Sequence, residues 1–171
     1  MNAGAMGQDT FGQVVSVRYV DRDGEFNTRT PAEIEVHYRS VPFFRDHYAV
    51  SATFRGEPDT LNAIETRLEA SVLKRRQSQP RESSAGCIFK NPVQIPAGKL
   101  IEELGLKGLR VGGARVSEVH GNFLVNERNA SATEFLELIA QVQEAARRER
   151  GVTLETEVQV VGEQKELYEI H

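Results

Sequence analysis

The spacing of apolar residues changes at Asp59, and that change restricts the chain to a fold that mixes sheet with helix. Before it, GQVVSVRYVDRDGEFNTRT (residues 12–30) alternates strand-forming residues around Asp23-Gly24. That dipeptide suits a tight turn with positive φ, so a hairpin is expected. A second pair of extended runs, AEIEVHYR (32–39) and HYAVSATFRG (47–56), flanks Pro42-Phe43-Phe44 and predicts two further strands. From Asp59 onward, Leu61, Ile64, Leu68 and Val72 recur at helical spacing, and the segment ends in Lys74, Arg75 and Arg76. Capping residues at the start and cations at the end complement a helix dipole.

The polar run QSQPRESSAG (77–86) reads as a boundary, giving expected domains of 1–78 and 79–171. Beyond it, Pro96 suits the first turn of a short helix over 97–104 that Gly105 stops. Ser131-Ala132-Thr133-Glu134 forms a capping box ahead of Phe135, Leu138, Ile139 and Val142, in a helix expected to run to Gly151. RVGGARVSEVHGNFLVNE (110–127) reads as a glycine turn with one or two strands, and VTLETEVQVVG (152–162) alternates as a strand. The expected class is α+β.

The chain has 171 residues, a formal net charge of −4, and one cysteine. The length suffices for a buried core, and the acidic balance offers no global attraction for nucleic acid or anionic membranes. A single cysteine excludes an internal disulfide. No apolar run reaches spanning length and the N-terminus lacks a signal pattern, so a cytoplasmic protein is expected. No metal-ligand spacing, Walker motif or strand-borne G-x-G-x-x-G appears, and His120 has no ligating neighbour at the required spacing.

Periodicity does not choose a chemistry, but several ordered motifs do. SAGCIFKNP (84–92), PAGKLIEELGLKGLRVGGARVSEVHGNFLVNE (96–127) and GVTLETEVQVVG (151–162), with NAGAMG (2–7), Tyr38-Arg39-Ser40 and RRQSQP (75–80), resemble the UDP-N-acetylenolpyruvoylglucosamine reductase family of peptidoglycan synthesis. The resemblance spans nearly the whole chain. It implies the C-terminal half of an FAD-binding domain, mostly sheet plus a helix, followed by an α+β substrate-binding domain. It also implies FAD and NADPH: NADPH reduces the flavin, flavin N5 delivers hydride to C3 of the enolpyruvyl group, and an acid protonates C2. The substrate would be UDP-N-acetylglucosamine enolpyruvate and the product UDP-N-acetylmuramate.

The family's acid is usually a serine, and the aligned residue here is Cys87. A thiol, with an ordinary pKa near 8.5, donates a proton more readily than an aliphatic hydroxyl. An arbitrary lone cysteine in a strand is more often a small buried hydrophobe, and only the surrounding motif argues otherwise. Arg39 aligns with the arginine that stabilises the enol-like intermediate, a role suited to a permanently charged guanidinium. Glu157 aligns with the active-site glutamate, and Glu155 on the same expected strand face is its confounder. By the same resemblance Tyr38, Lys90, Asn91, Asn122 and Arg76 are substrate-binding candidates. Arg75 and Arg76 serve equally well as helix-end charges. Asn2, Ala3 and Gly4 match the tail of a flavin-contacting loop, or a frayed terminus.

The family's glycine-rich pyrophosphate segment lies upstream of the NAGA motif, so a missing N-terminal FAD-binding segment is expected before Met1. The chain alone is then expected to be catalytically poor and to hold no stoichiometric FAD. Two alternatives stand beside the reductase: a flavin-free UDP-sugar binding module, and a fragment that complements a separately supplied N-terminal half.

Overall fold

The computed structural model describes residues 2–161, so residues 162–171 of the second expected domain lie outside it. The chain is α+β and divides into two compact units, separated in sequence between Ser71 and Val72.

In the first unit, β1 (Gly4–Ala5) and β2 (Gln8–Asp9) form a small antiparallel hairpin. Met6 and Gly7 both take positive φ in its turn, the geometry that matches strand twist. A three-stranded antiparallel sheet follows, in the order β4-β3-β5, from β3 (Val14–Val20), β4 (Phe26–Arg29) and β5 (Tyr48–Phe54). The β3–β4 hairpin turns at residues 21–25, as the Asp23-Gly24 signal requires. There the Asp21 carboxylate accepts hydrogen bonds from the Asp23 and Glu25 N–H groups. Val17 and Tyr19 are buried while Arg18 between them is exposed, the alternation of a half-buried strand. Val17, Ile34 and Val41 form a small core with Phe11, Val14, Phe43 and Phe44 packed on it.

The expected strand over 32–39 is not formed. Pro31 begins a single 3-10 turn (Pro31–Glu33), and the Glu33 carboxylate accepts from both the N–H and Oγ1 of Thr30. That local closure bends the chain away from an extended path, leaving only an isolated bridge between His37 and Ser40. β5 pairs instead with the open edge of β3, from Val20 opposite Tyr48 to Val14 opposite Phe54.

Helix α1 (Leu61–Ser78) forms where the periodicity placed it, with Arg75 and Arg76 in its last turn, but none of its residues is buried. The division between units falls inside this helix, seven residues ahead of the expected boundary at 78/79.

The second unit holds a four-stranded antiparallel sheet in the order β6-β9-β8-β7. Its strands are β6 (Ser84–Cys87), β7 (Arg110–Val111), β8 (Ala114–Val116) and β9 (Phe123–Asn126). Helix α2 (Ala97–Glu103) starts after Pro96 and stops before Gly105, whose φ is +68°. Helix α3 (Ala132–Arg150) is set by its own punctuation. Ser131 Oγ accepts from the Glu134 N–H, the Glu134 carboxylate accepts from the Ser131 N–H, and left-handed Gly151 ends the helix. Its apolar stripe of Leu138, Ile139, Val142 and Ala146 packs into one core with Leu100 and Ile101 of α2, Val116, Leu124 and Leu154. Each fully buried aliphatic of this size stabilises by roughly 1.5–3 kcal/mol.

Residues 152–161 alternate in sequence but are not a regular strand. Thr156 makes one isolated bridge to Phe89, and the neighbouring hydrogen bonds are confined to residues 88–90. The strip they pair with explains this. Gly86 has φ of +84°, the register of β6 on β9 shifts between Ser84 and Cys87, and Pro92 follows, so little straight edge is presented.

Candidate functional site

The expected site residues form two groups, one inside each unit. In the first unit Arg39 lies in the tight turn closed by the His37 N–H to Ser40 carbonyl bond of 2.8 Å and its reciprocal of 3.2 Å. Its φ is +56°, a left-handed conformation that an unbranched residue adopts at some strain. The turn aims the guanidinium back at the N-terminal segment, where Nη1 donates to the Asn2 carbonyl and Nη2 to the Gly4 carbonyl, both at 3.3 Å. Gly4 permits this approach, since a Cβ there would lie 3.0 Å from Arg39 Nη1. The guanidinium also sits 4.9 Å from the centroid of the exposed Tyr38 ring. Asn2 is buried and its Oδ1 accepts from the Phe11 N–H at 3.1 Å, while the Ala3 carbonyl accepts from the N–H and Oγ1 of Thr10. Residues 2–4 are therefore tied down at both ends rather than frayed.

The second group is built on a short strip, residues 87–90, running between two supports. Cys87 closes β6 opposite Phe123 of β9 and is exposed, not a buried core residue. On one flank the Ile88 N–H donates to the Asn122 carbonyl at 3.0 Å. On the other, the Glu157 N–H donates to the Ile88 carbonyl at 2.7 Å and the Lys90 N–H to the Glu155 carbonyl at 2.8 Å. Cys87 and half-buried Glu157 are thus held next to the same residue, Ile88, although they lie far apart in sequence.

This pairing also separates the two glutamates that alternation alone left equivalent. Glu155 takes the Lys90 ammonium, with Nζ 3.0 Å from Oε2, in an exposed ion pair worth little to stability. Asn91 uses its Oδ1 to accept from the Ala97 N–H at 3.0 Å, which anchors the start of α2. Asn122 is only 3% exposed. Its Oδ1 accepts from the Phe89 N–H at 2.9 Å and its Nδ2 donates to the Phe89 carbonyl at 2.8 Å, so this side chain is committed to main chain. Arg76 is exposed on the last turn of α1.

His120 contributes support that spacing did not reveal. Its Nδ1 accepts from the Asn122 N–H at 3.1 Å, which requires that nitrogen to be unprotonated. Burial, and secondly the Lys107 charge, push its pKa below the ordinary value, so the neutral ring that this bond needs is favoured. The ring packs on α2 at Gly98, where a Cβ would fall 2.7 Å from Cε1. Glycine is needed there because the helix and the 117–122 loop meet without space for a side chain. The His120-Gly121-Asn122 step ahead of a strand was visible in the sequence, but the partner of Asn122, Phe89, thirty-three positions away, was not.

The family model for the UDP-N-acetylenolpyruvoylglucosamine reductase C-terminal domain matches residues 79–161. The chain is 43% identical over 164 residues to the UDP-N-acetylenolpyruvoylglucosamine reductase of Moorella thermoacetica, covering 95% of this chain and 54% of that protein. It is 42% identical over 164 residues to the reductase of Alkalilimnicola ehrlichii, covering 95% and 55%. It also superposes on the crystal structure of the MurB reductase from Thermus caldophilus with a TM-score of 0.81 and 37% identity, over 93% of this chain and 57% of that one. The chain spans about half the length of the curated relatives it matches. Sequence, fold and the matched second unit together place this chain in the UDP-N-acetylenolpyruvoylglucosamine reductase family.

Proposed function

We propose that the chain carries the substrate-binding part, and one wall of the flavin site, of an oxidoreductase that converts UDP-N-acetylglucosamine enolpyruvate to UDP-N-acetylmuramate in peptidoglycan synthesis. FAD and NADPH are the cofactors of this reading, and cytoplasm its compartment. The observation that carries it is the strip 87–90, which holds Cys87 and Glu157 at one residue inside the domain matched to the family.

Residues 2–4 fit a flavin as one wall. Ala3 and Gly4 present main chain with at most a methyl group, and Arg39 fixes that ledge through two carbonyls, so a planar ring or a diphosphate can approach closely. Asn2 acts there as a brace, its oxygen already engaged by Phe11. A flavin held against this ledge and reduced by NADPH would supply a hydride for C3 of the enolpyruvyl group. The chain's own residues do the rest. The Cys87 thiol releases its proton to C2, which completes saturation of the double bond. The Arg39 guanidinium steadies the negative charge that develops on the carboxylate as C3 is attacked. Glu157 orients the reacting group, Lys90, Asn91 and Tyr38 line the substrate, and Arg76 offers charge to the diphosphate.

In the chain joined to an upstream FAD-binding segment of the family, with NADPH and substrate supplied, Cys87→Ala is expected to slow substrate consumption by at least about a hundredfold, the scale of a lost general acid. NADPH oxidation by flavin should persist. Equal loss of both steps, or unchanged turnover, would overturn the reading. A flavin-free UDP-sugar module is favoured by one observation: Cys87, Lys90, Asn91, Glu157 and Arg76 all belong to the unit that begins at Val72. Calorimetric binding of the UDP-sugar that is indifferent to FAD and to Arg39→Ala supports the module over the reductase.

A further inference from the structure

Three of the hydrogen bonds that hold residues 88 and 89 come from one residue. Asn122 receives the Ile88 N–H on its carbonyl and grips Phe89 from both sides with its amide. Phe89 is 1% exposed and the Asn122 side chain is equally enclosed, so these bonds are shielded from water and unmade only by opening the site. On the far side of the same strip hang Glu155 and Glu157, through Lys90 and Ile88. Residues 155–157 have no other strand to lie on among the described residues, so their placement depends on how firmly the strip is held.

Resting on the proposed function for why Cys87 and Glu157 matter, we propose that Asn122 is a positioning residue. Its amide clamps Phe89, and through that one strip it sets Cys87 and Glu157 together, with His120 holding the Asn122 N–H from below. Ser117 completes the base of the clamp, since its buried hydroxyl accepts from the Val119 and His120 N–H groups at 3.1 and 3.4 Å. The Asn122 amide bonds on both sides to the main chain of Phe89. It acts through main chain, and its influence should therefore reach amides that it does not contact.

Amide-resolved hydrogen exchange on the full chain tests this without any cofactor or substrate. In Asn122→Ala the Phe89, Lys90 and Glu157 amides are expected to exchange about tenfold faster relative to the Val142 amide of α3, the loss of roughly one to two shielded hydrogen bonds. Asn126→Ala is the control, because the Asn126 oxygen caps the Ala130 N–H at 2.8 Å elsewhere on β9, and it should leave those three amides unchanged. Acceleration limited to Phe89, or shared equally by Val142, would overturn the proposal. If Asn122→Ala does not fold, His120→Leu carries the same reading, with about threefold acceleration, and His120→Asn restores protection by supplying an acceptor. Equal rates in His120→Leu and the unsubstituted chain would overturn it. Failure of the clamp leaves the Cys87→Ala outcome untouched, and failure of the reductase reading leaves the exchange pattern untouched.

Discussion

The two units spend their apolar residues differently. Among the described residues, the second joins thirteen buried residues from two helices, two strands, the strip 88–89 and the segment after α3 in one cluster, whereas the first gathers three around β3. In the first, every residue of β5 is exposed, Tyr48 at 72%, and α1, which runs on into the second, buries nothing although Leu61, Ile64, Leu68 and Val72 form a regular stripe. Periodicity therefore reports where an element can bury a face. It does not report whether anything is there to cover it. The site residues also differ in their main-chain setting: Arg39 sits in a turn with positive φ, while the strip from Cys87 to Lys90 runs through the larger core.

The sharpest way to break this comparison is Leu138→Ala. Leu138 is fully enclosed on α3, so the substitution is expected to lower the stability of the second unit by about 2–5 kcal/mol, measured by denaturant unfolding. A loss near zero would mean that the core is not close-packed as described.

A smaller effect is expected from acid. His120 has a folded pKa below its ordinary value of 6.5, for which burial is the first cause and Lys107 the second, with Glu102 opposing. The unfolded chain therefore takes up this proton first. The His120 contribution is complete above about 6.5 and is lost as pH falls from there toward the lowered folded value. Thermal unfolding should show a downward step in Tm across that window, and His120→Asn, which keeps an acceptor but does not titrate, should flatten it. A step of the same size in that variant would assign the effect to other groups.

The smallest expected effect is that of Leu68→Gln on the α1 stripe. With Leu68 63% exposed, the change should move stability by no more than about 0.5 kcal/mol. A loss approaching that of Leu138→Ala would show that the stripe is covered in solution, and the contrast between the units would vanish.

Some of the site was legible because its signals are short-range. The Ser131–Glu134 capping box, the Gly105 and Gly151 stops and the Asp23-Gly24 hairpin all formed, since each is decided by groups within a few residues of one another. The segments 32–39 and 152–161 had equally clear alternation and did not become regular strands. One was closed locally by Thr30 and Glu33, and the other found only the short, kinked strip 88–90 to pair with. Asn122 read as a substrate-binding amide, because nothing near it in sequence announces Phe89 as its partner.

Sequence by itself determined the α+β class, the helices, their caps and the family, because side-chain periodicity, capping chemistry and motif order are written along the chain. The tertiary structure alone decided which edge β5 occupies, which glutamate takes the Lys90 ammonium and which asparagine holds the strip. Those outcomes depend on hydrogen bonds between residues far apart in sequence, and such bonds are chosen only when packing brings donors and acceptors within reach.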